Sequence, residues 1–402
     1  MKWKRVTTVT AMLALLLPCS LAGLSGSALA ASYDNAVLAD NPVGYWPLAP
    51  GVTGDQSGHG ITGTFTGSPT STTMPNGDAA PVFNGVDQYF TIPDNDYLEV
   101  TRTGILTVEA WMRPDVLTFP NYESTGYVHW MGKGTSGQHS WVARMYNLTN
   151  SENRPNRISG YSFNLSGGLG AGSYFQDTVT AGQWIHYTLV INTVNTSTTY
   201  PTGYTKLFKN GVLRDQDSLS DYSIVPGNGT APMRVGTRDL ASFFKGAIGK
   251  VAVYDYELTP AQLAAHTNAM NPTKYTVTGA SVSASADDGN VPANTVDGNL
   301  STRWSADGNG QWIQYDLGLS KAIDYVKIAW YNGNARTATF DILVSTDNAN
   351  WTQVYSGTSS GTTLQPETYD FPNATARYVR IVGHGNSVNT WNSITETEIW
   401  GN

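Results

Sequence analysis

Asn294-Thr295-Val296-Asp297-Gly298-Asn299-Leu300-Ser301-Thr302-Arg303-Trp304, followed by Trp312-Ile313-Gln314-Tyr315-Asp316-Leu317-Gly318, is the stretch on which the reading of this chain turns. Two further blocks follow in order, Ala376-Arg377-Tyr378-Val379-Arg380-Ile381 and Glu396-Thr397-Glu398-Ile399-Trp400-Gly401. Asp297 and Glu396 offer carboxylates, and Asn294, Asn299 and Thr302 offer carbonyl or hydroxyl oxygen. These are the hard donors that Ca²⁺ prefers. Between the blocks, Trp330-Tyr331-Asn332-Gly333-Asn334-Ala335-Arg336 interleaves aromatic, amide and cationic groups, and His384-Gly385-Asn386 with Trp391-Asn392 makes a second such cluster. Aromatic faces stack on the apolar side of a pyranose, while Arg, His and Asn fix hydroxyls or a carboxylate. The candidate sugar-binding residues are therefore Trp330, Tyr331, Asn334, Arg336, His384, Asn386 and Trp391.

Taken together, the four blocks resemble the discoidin family (coagulation factor 5/8 type C, or F5/8 C), over residues 275–402. The resemblance implies a galactose-binding-like β-sandwich that grips a glycan through loops at one end. It also implies a structural calcium, with backbone carbonyls of Asn294 and Asn299, carboxylates of Asp297 and Glu396, and the Thr302 hydroxyl as ligands. Trp304, Trp312 and Trp351 sit where the family packs aromatics between sheets. This version most resembles modules appended to bacterial polysaccharide lyases such as alginate lyases, which makes an acidic ligand natural.

Upstream, Val43-Gly44-Tyr45-Trp46-Pro47-Leu48, Asp55-Gln56-Ser57-Gly58-His59-Gly60, Thr107-Val108-Glu109-Ala110-Trp111-Met112, Gly182-Gln183-Trp184-Ile185-His186-Tyr187 and Gly246-Ala247-Ile248-Gly249-Lys250-Val251 resemble bacterial laminin G-like, concanavalin A-like domains, over residues 33–268. The local pattern agrees. Val108, Ala110 and Met112 alternate with Thr107, Glu109, Trp111 and Arg113, as when one strand face looks into a sandwich and the other away from it. Lys209-Asn210-Gly211 reads as a hairpin turn. Thr259-Pro260-Ala261-Gln262 opens a helix with a capping box, expected to end near His266. Residues 269–274 read as a linker. The expected architecture is all-β, with two β-sandwich (jelly-roll) domains in tandem.

At the other end, Lys2, Lys4 and Arg5 precede an apolar run from Val9 to Leu17, and Ala28-Leu29-Ala30 offers a cleavage site. Residues 1–30 thus read as a secretory signal peptide, so the expected product is extracellular and soluble. Its only cysteine, Cys19, lies inside that signal, leaving no disulfide beyond it. Removing the three signal cations leaves 20 Lys and Arg against 31 Asp and Glu, a net charge of about −11. With cations scattered singly, nucleic acid is excluded as a partner, and no later segment suggests a membrane span.

Catalytic motifs are sparse. Glu109 lacks a second carboxylate at spacing two, against a paired-carboxylate glucanase. Gly167-Gly168-Leu169-Gly170-Ala171-Gly172 lacks the Gly-Lys-Ser/Thr ending of a phosphate loop and reads as a turn. In the stretch from Tyr127 to Asp177, Arg144 and Tyr146 share one strand face, and with His129 and Asn147 they are the catalytic candidates of a lyase acting on uronate. Asp55, beside Ser57 and Gly58, is a candidate for a second calcium. The favoured function is a secreted polysaccharide-binding protein, noncatalytic or part of a larger degrading system. A uronate lyase and an extracellular adhesion protein are the alternatives.

Overall fold

The computed structural model describes residues 32–49 and 52–402, so the signal read at residues 1–30, Cys19 included, lies outside the described residues. Alternating apolar positions place Ile105–Pro114 and Ile185–Asn192 at the centre of a sheet. Its order is Val212–Ser218, Tyr204–Lys209, Ile185–Asn192, Ile105–Pro114, Lys245–Tyr254, Ala79–Asn84 and Thr70–Thr73. The facing sheet runs Ala171–Phe175, Ile158–Ser162, Gln138–Tyr146, Tyr127–Thr135, Met233–Val235, Tyr89–Ile92 and Thr64–Thr66. Leu106, Val108, Ala110 and Met112 meet Val128, Trp130, Trp141, Ala143 and Met145 in one apolar core between them. Each of the Leu, Val and Met side chains contributes roughly 1.5–3 kcal/mol through burial.

The outer face of the first sheet is covered, which the alternation alone did not foretell. Helices Ser32–Ala39 and Pro260–Met270 pack there, with Tyr33, Val37, Leu263 and Met270 joining Trp111 in a second apolar cluster. Thr107 and Glu109 are consequently buried as well. The hairpin forms at Asn210 and Gly211, whose φ values of 52° and 75° are those of a tight two-residue turn. The capping box also forms, Thr259 accepting from the Gln262 N–H and Gln262 accepting from the Thr259 N–H. The helix runs past His266 to Met270 because Ala269 and Met270 are buried too. Thr273 and Lys274, read as linker, pair with Gly401 and Trp400 as a short strand.

The C-terminal domain is built on the order Thr273–Lys274, Trp391–Gly401, Gln311–Trp330, Glu367–Asn386, Ala338–Ser345 and Thr352–Thr358. Register shifts between Asp316 and Lys321 and between Ile323 and Tyr325 interrupt the pairing of its two 20-residue strands. Such irregularities bend strands, and the sheet encloses Trp304, Tyr315, Ile328, Trp330, Phe340, Ile381 and Ile399. Trp304 is core, as expected. Trp312 and Trp351 are not: Ile313 and Tyr315 take the inward positions, and the two half-buried indoles flank the Arg380 guanidinium at 4.3 and 3.8 Å. Among the described residues no helix is long and apolar enough to cross a membrane.

Candidate functional site

The pairing of Trp304–Asp307 with the last strand sets Ser305 opposite Ser393 and Asp307 opposite Trp391. A strand's period of two then brings Ser305, Trp391 and Ser393 to one face, with Arg303 just before the strand. Tyr331 follows directly on Gln311–Trp330 and is fixed to this edge by its N–H, which donates to Ser393 O at 3.2 Å. The turn beyond it closes when the N–H groups of Ala335 and Arg336 donate to Asn332 O at 2.9 and 3.1 Å. The result is a cleft of about 200 Å³ lined by Asp288, Arg303, Ser305, Tyr331, Arg336, Trp391 and Ser393.

Two guanidinium groups share one aromatic ring here, Arg303 at 4.3 Å and Arg336 at 5.4 Å from the Tyr331 centroid. Among the described residues neither is ion-paired, and the buried Arg303 Nε has no hydrogen-bond partner. Burial, aided by the Arg303 charge, draws the Arg336 pKa below its ordinary value, although Tyr331 opposes it. A carboxylate entering the cleft would relieve the repulsion and supply the missing acceptor. Asp288, which also lines the cleft, is held by the Asn290 amide at 2.9 Å and the Ser305 hydroxyl at 3.2 Å, an arrangement able to accept from sugar hydroxyls.

Of the seven sugar-site candidates, the structure brings Tyr331, Arg336 and Trp391 to this cleft. Trp330 is a correction: it is buried in the sandwich and its Nε1–H donates to the Tyr369 hydroxyl at 2.8 Å, so it cannot face a glycan. Asn334 is exposed on the neighbouring turn. His384 stands apart, with Nδ1 2.6 Å from Asn309 Oδ1 and Nε2 2.9 Å from Asp341 Oδ2. Asn386 organises a turn, accepting from Val388 and Asn389 N–H and donating to Trp391 O. Arg303 and Asp288 were missed. Arg303 stood in the opening motif, but only the register of the last strand gives it a place beside Tyr331.

The five calcium candidates lie around one loop. Asp297 Oδ1 accepts from the Asn299 N–H at 2.8 Å, and its Oδ2 accepts from the Thr302 hydroxyl at 2.7 Å. Glu396 reaches the loop from the last strand, its Oε2 accepting from the Gly298 N–H at 3.2 Å. Burial, with Asp297 and Glu398 nearby, pushes the Glu396 pKa up to about 7, against the pull of the Gly298 N–H and Lys274. Two carboxylates and further oxygen donors gathered at one loop fit a hard divalent ion. The Asn294 amide donates to Arg303 O at 2.8 Å, tying this loop to the cleft. Asp55 holds its own loop, its two oxygens accepting from the N–H groups of Tyr45, Ser57 and Ile61 and from the Ser57 hydroxyl.

In the N-terminal domain, strand register sets His129 opposite Arg144. Arg144 donates to His129 Nε2 at 3.1 Å and to the Tyr146 hydroxyl at 3.2 Å, and Arg154 also donates to that hydroxyl, at 2.8 Å. His129 Nδ1 lies 3.0 Å from Glu123 Oε1. Burial lowers the His129 pKa to about 4 despite Glu123, so the ring is neutral and its Nε2 is free to accept from Arg144. That leaves the ring proton on Nδ1, facing Glu123. Asp239, the third member of the Glu123–His129–Asp239 trio, is paired with Arg238. Asn147 points elsewhere, accepting from the Phe119 N–H at 2.9 Å.

Residues 84–264 match the family model for the concanavalin A-like lectin/glucanase superfamily, and residues 278–397 match that for the F5/8 type C domain. Among solved structures, the CBM32 module of AlyQ in complex with 4,5-unsaturated mannuronic acid is 58% identical, with 32% of this chain and 97% of that one covered and a TM-score of 0.31. A truncated AlyQ with CBM32 and alginate lyase domains is 56% identical over 33% of this chain, which spans 34% of that protein, with a TM-score of 0.32. A pectin-binding carbohydrate-binding module is 32% identical over 31% of this chain and 91% of that one, with a TM-score of 0.30. No curated protein matches the chain. The chain thus carries a concanavalin A-like domain, matched at residues 84–264, followed by an F5/8 type C domain, matched at residues 278–397.

Proposed function

We propose that this is a secreted polysaccharide-binding protein whose C-terminal cleft takes an acidic sugar residue. The observation that carries the reading is the pair of guanidiniums on Tyr331, neither ion-paired among the described residues, with the Arg303 Nε donor lacking an acceptor. A uronate carboxylate would bridge Arg303 and Arg336, Trp391 and Tyr331 would offer ring faces, and Asp288 would accept from hydroxyls. The 58% identical module, described with an unsaturated mannuronate, supports a ligand of this class. Secretion rests on residues 1–30. Affinity electrophoresis of the full chain tests the reading: retardation is expected in gels containing alginate or pectin and not in gels containing a neutral glucan. Equal retardation in all three would overturn the acidic preference.

Binding is favoured over lyase chemistry by the placement of Tyr146 and His129, which are 1% and 2% exposed and engaged with Arg144. A general base must reach the proton it removes.

A structural Ca²⁺ belongs to the same reading, with Asp297 and Glu396 as its charged ligands and Asn294, Asn299 and Thr302 completing the oxygen set. Saturation at a hundred times the dissociation constant stabilises the folded domain by about 2.7 kcal/mol. Chelation is expected to lower the melting temperature of the C-terminal transition. It should also weaken glycan binding, since the Asn294 amide anchors Arg303. Calorimetry with and without chelator measures the first effect, and an unchanged transition after verified metal removal would refute the site.

A control follows from the position of His384. The His384→Ala variant is expected to bind acidic glycan within about twofold of the parent, because that ring lies outside the cleft. Isothermal titration checks it.

A further inference from the structure

A second cavity, of about 350 Å³, opens in the N-terminal domain where Gln138–Tyr146, Ile158–Ser162 and Ala171–Phe175 run side by side. One wall is cationic and aromatic. The Arg144 guanidinium stands 4.2 Å from the Tyr127 centroid and 4.6 Å from that of Tyr161, and Arg157 lies 3.8 Å from Tyr174. Arg154, nearby, is ion-paired with Glu152 at 2.6 Å. Arg144 and Arg157 have no such partner among the described residues: Arg144 donates to His129 and Tyr146, and Arg157 to Gln176 Oε1 at 2.9 Å.

Gly172 and Tyr161 also line the cavity. A Cβ at Gly172 would stand 2.4 Å from Tyr161 Cδ1 and 2.1 Å from Gly160 O, so only glycine there lets the tyrosine lie against the sheet. Asp217 and Asp221 line the cavity as well. Behind Arg144, the chain Glu123–His129–Arg144–Tyr146–Arg154–Glu152 fixes the guanidinium before any ligand arrives. Such pre-ordering removes part of the entropic cost of binding.

We propose that this cavity is a second saccharide site, taking a carboxylate-bearing sugar residue whose carboxylate meets Arg144 and Arg157 while its hydroxyls face Asp217 and Asp221. An amino sugar would face the unpaired guanidiniums with like charge, and a neutral sugar would leave them without a counter-charge. The site shares no residue with the C-terminal cleft. Two sites on one chain would let a single polymer be held twice, raising avidity by effective concentration.

Titration of the full chain with tetrasaccharides of mannuronate, guluronate and galacturonate tests this. At least one is expected to fill two sites on the parent, one on Arg303→Ala/Arg336→Ala, and one on Arg144→Ala/Arg157→Ala, with at least tenfold weakening at each altered site. Arg157→Ala alone, at the half-buried rim, is expected to weaken the same site, and it carries the test if the double variant misfolds. A parent with one site, lost only with Arg303 and Arg336, overturns this inference and leaves the C-terminal reading standing. One site lost only with Arg144 and Arg157 does the reverse. Retention of both sites in Arg144→Ala/Arg157→Ala, or binding of a chitosan tetrasaccharide at the Arg144 site, also overturns it.

Discussion

Replacing Glu109 with alanine is expected to destabilise the N-terminal domain by about 3–5 kcal/mol, the usual cost of removing one partner from a buried charged network. Glu109 is fully buried, and its Oε2 lies 3.0 Å from His186 Nε2 and 3.1 Å from His266 Nδ1, while Oε1 accepts from the Tyr254 hydroxyl at 2.7 Å. His266 in turn reaches Asp40 at 3.0 Å and His186 reaches Thr267 at 3.0 Å, so the truncation strands groups on both covering elements. A drop in the urea midpoint of the N-terminal transition measures the effect. A change below 1 kcal/mol would refute the network's role.

The same network gives stability a pH optimum. Burial alone would raise the Glu109 pKa, but His266 and His186 outweigh it and hold the carboxyl below its ordinary 4.5. Its contribution is present above pH 4.5 and fades as pH falls through the lowered value. Burial opposes protonation of His266, yet Glu109 and Asp40 raise its pKa above 6.5. That contribution is full below pH 6.5 and fades as pH rises through the raised value. Stability is therefore expected to be highest between about pH 4.5 and 6.5, and Glu109→Gln should flatten both flanks in urea melts taken across pH.

Sequence legibility tracked how local the determinants are. The Asn210-Gly211 turn and the Thr259–Gln262 capping box were readable because each is decided within four residues. The burial of Glu109 was not, because the helices covering it come from residues 32–39 and 260–270, far along the chain. At the sugar site the error was one of parity. Trp330 and Tyr331 are neighbours, and a strand sends neighbours to opposite faces, so the motif named both while only Tyr331 faces the cleft. Arg303 was hidden for the converse reason: it is 28 residues from Tyr331 in sequence, and the proximity comes from Ser305 pairing with Ser393, whose carbonyl accepts from the Tyr331 N–H. Arg144, Tyr146 and His129 do cluster, but the structure divides them between a cavity wall and its support.

Removing both Arg303 and Arg336 as alanine variants is expected to cost at least about 2 kcal/mol of uronate affinity at the C-terminal cleft, roughly thirtyfold, with the melting temperature little changed. Both guanidiniums sit on the cleft rather than in the core, and neither is ion-paired among the described residues. Isothermal titration gives the affinity, and salt should weaken parent binding more than that of the double variant. An affinity unchanged within threefold would mean that the cations do not hold the ligand.

The position of the bound sugar carboxylate is read directly by a crystal structure of the full chain with a uronate tetrasaccharide. The predicted result is a carboxylate within hydrogen-bond distance of Arg303 Nε and the Arg336 guanidinium, with a pyranose face against Tyr331 or Trp391. A saccharide bound to the C-terminal domain around His384 or Trp312, with the Tyr331 cleft left to solvent, would contradict it.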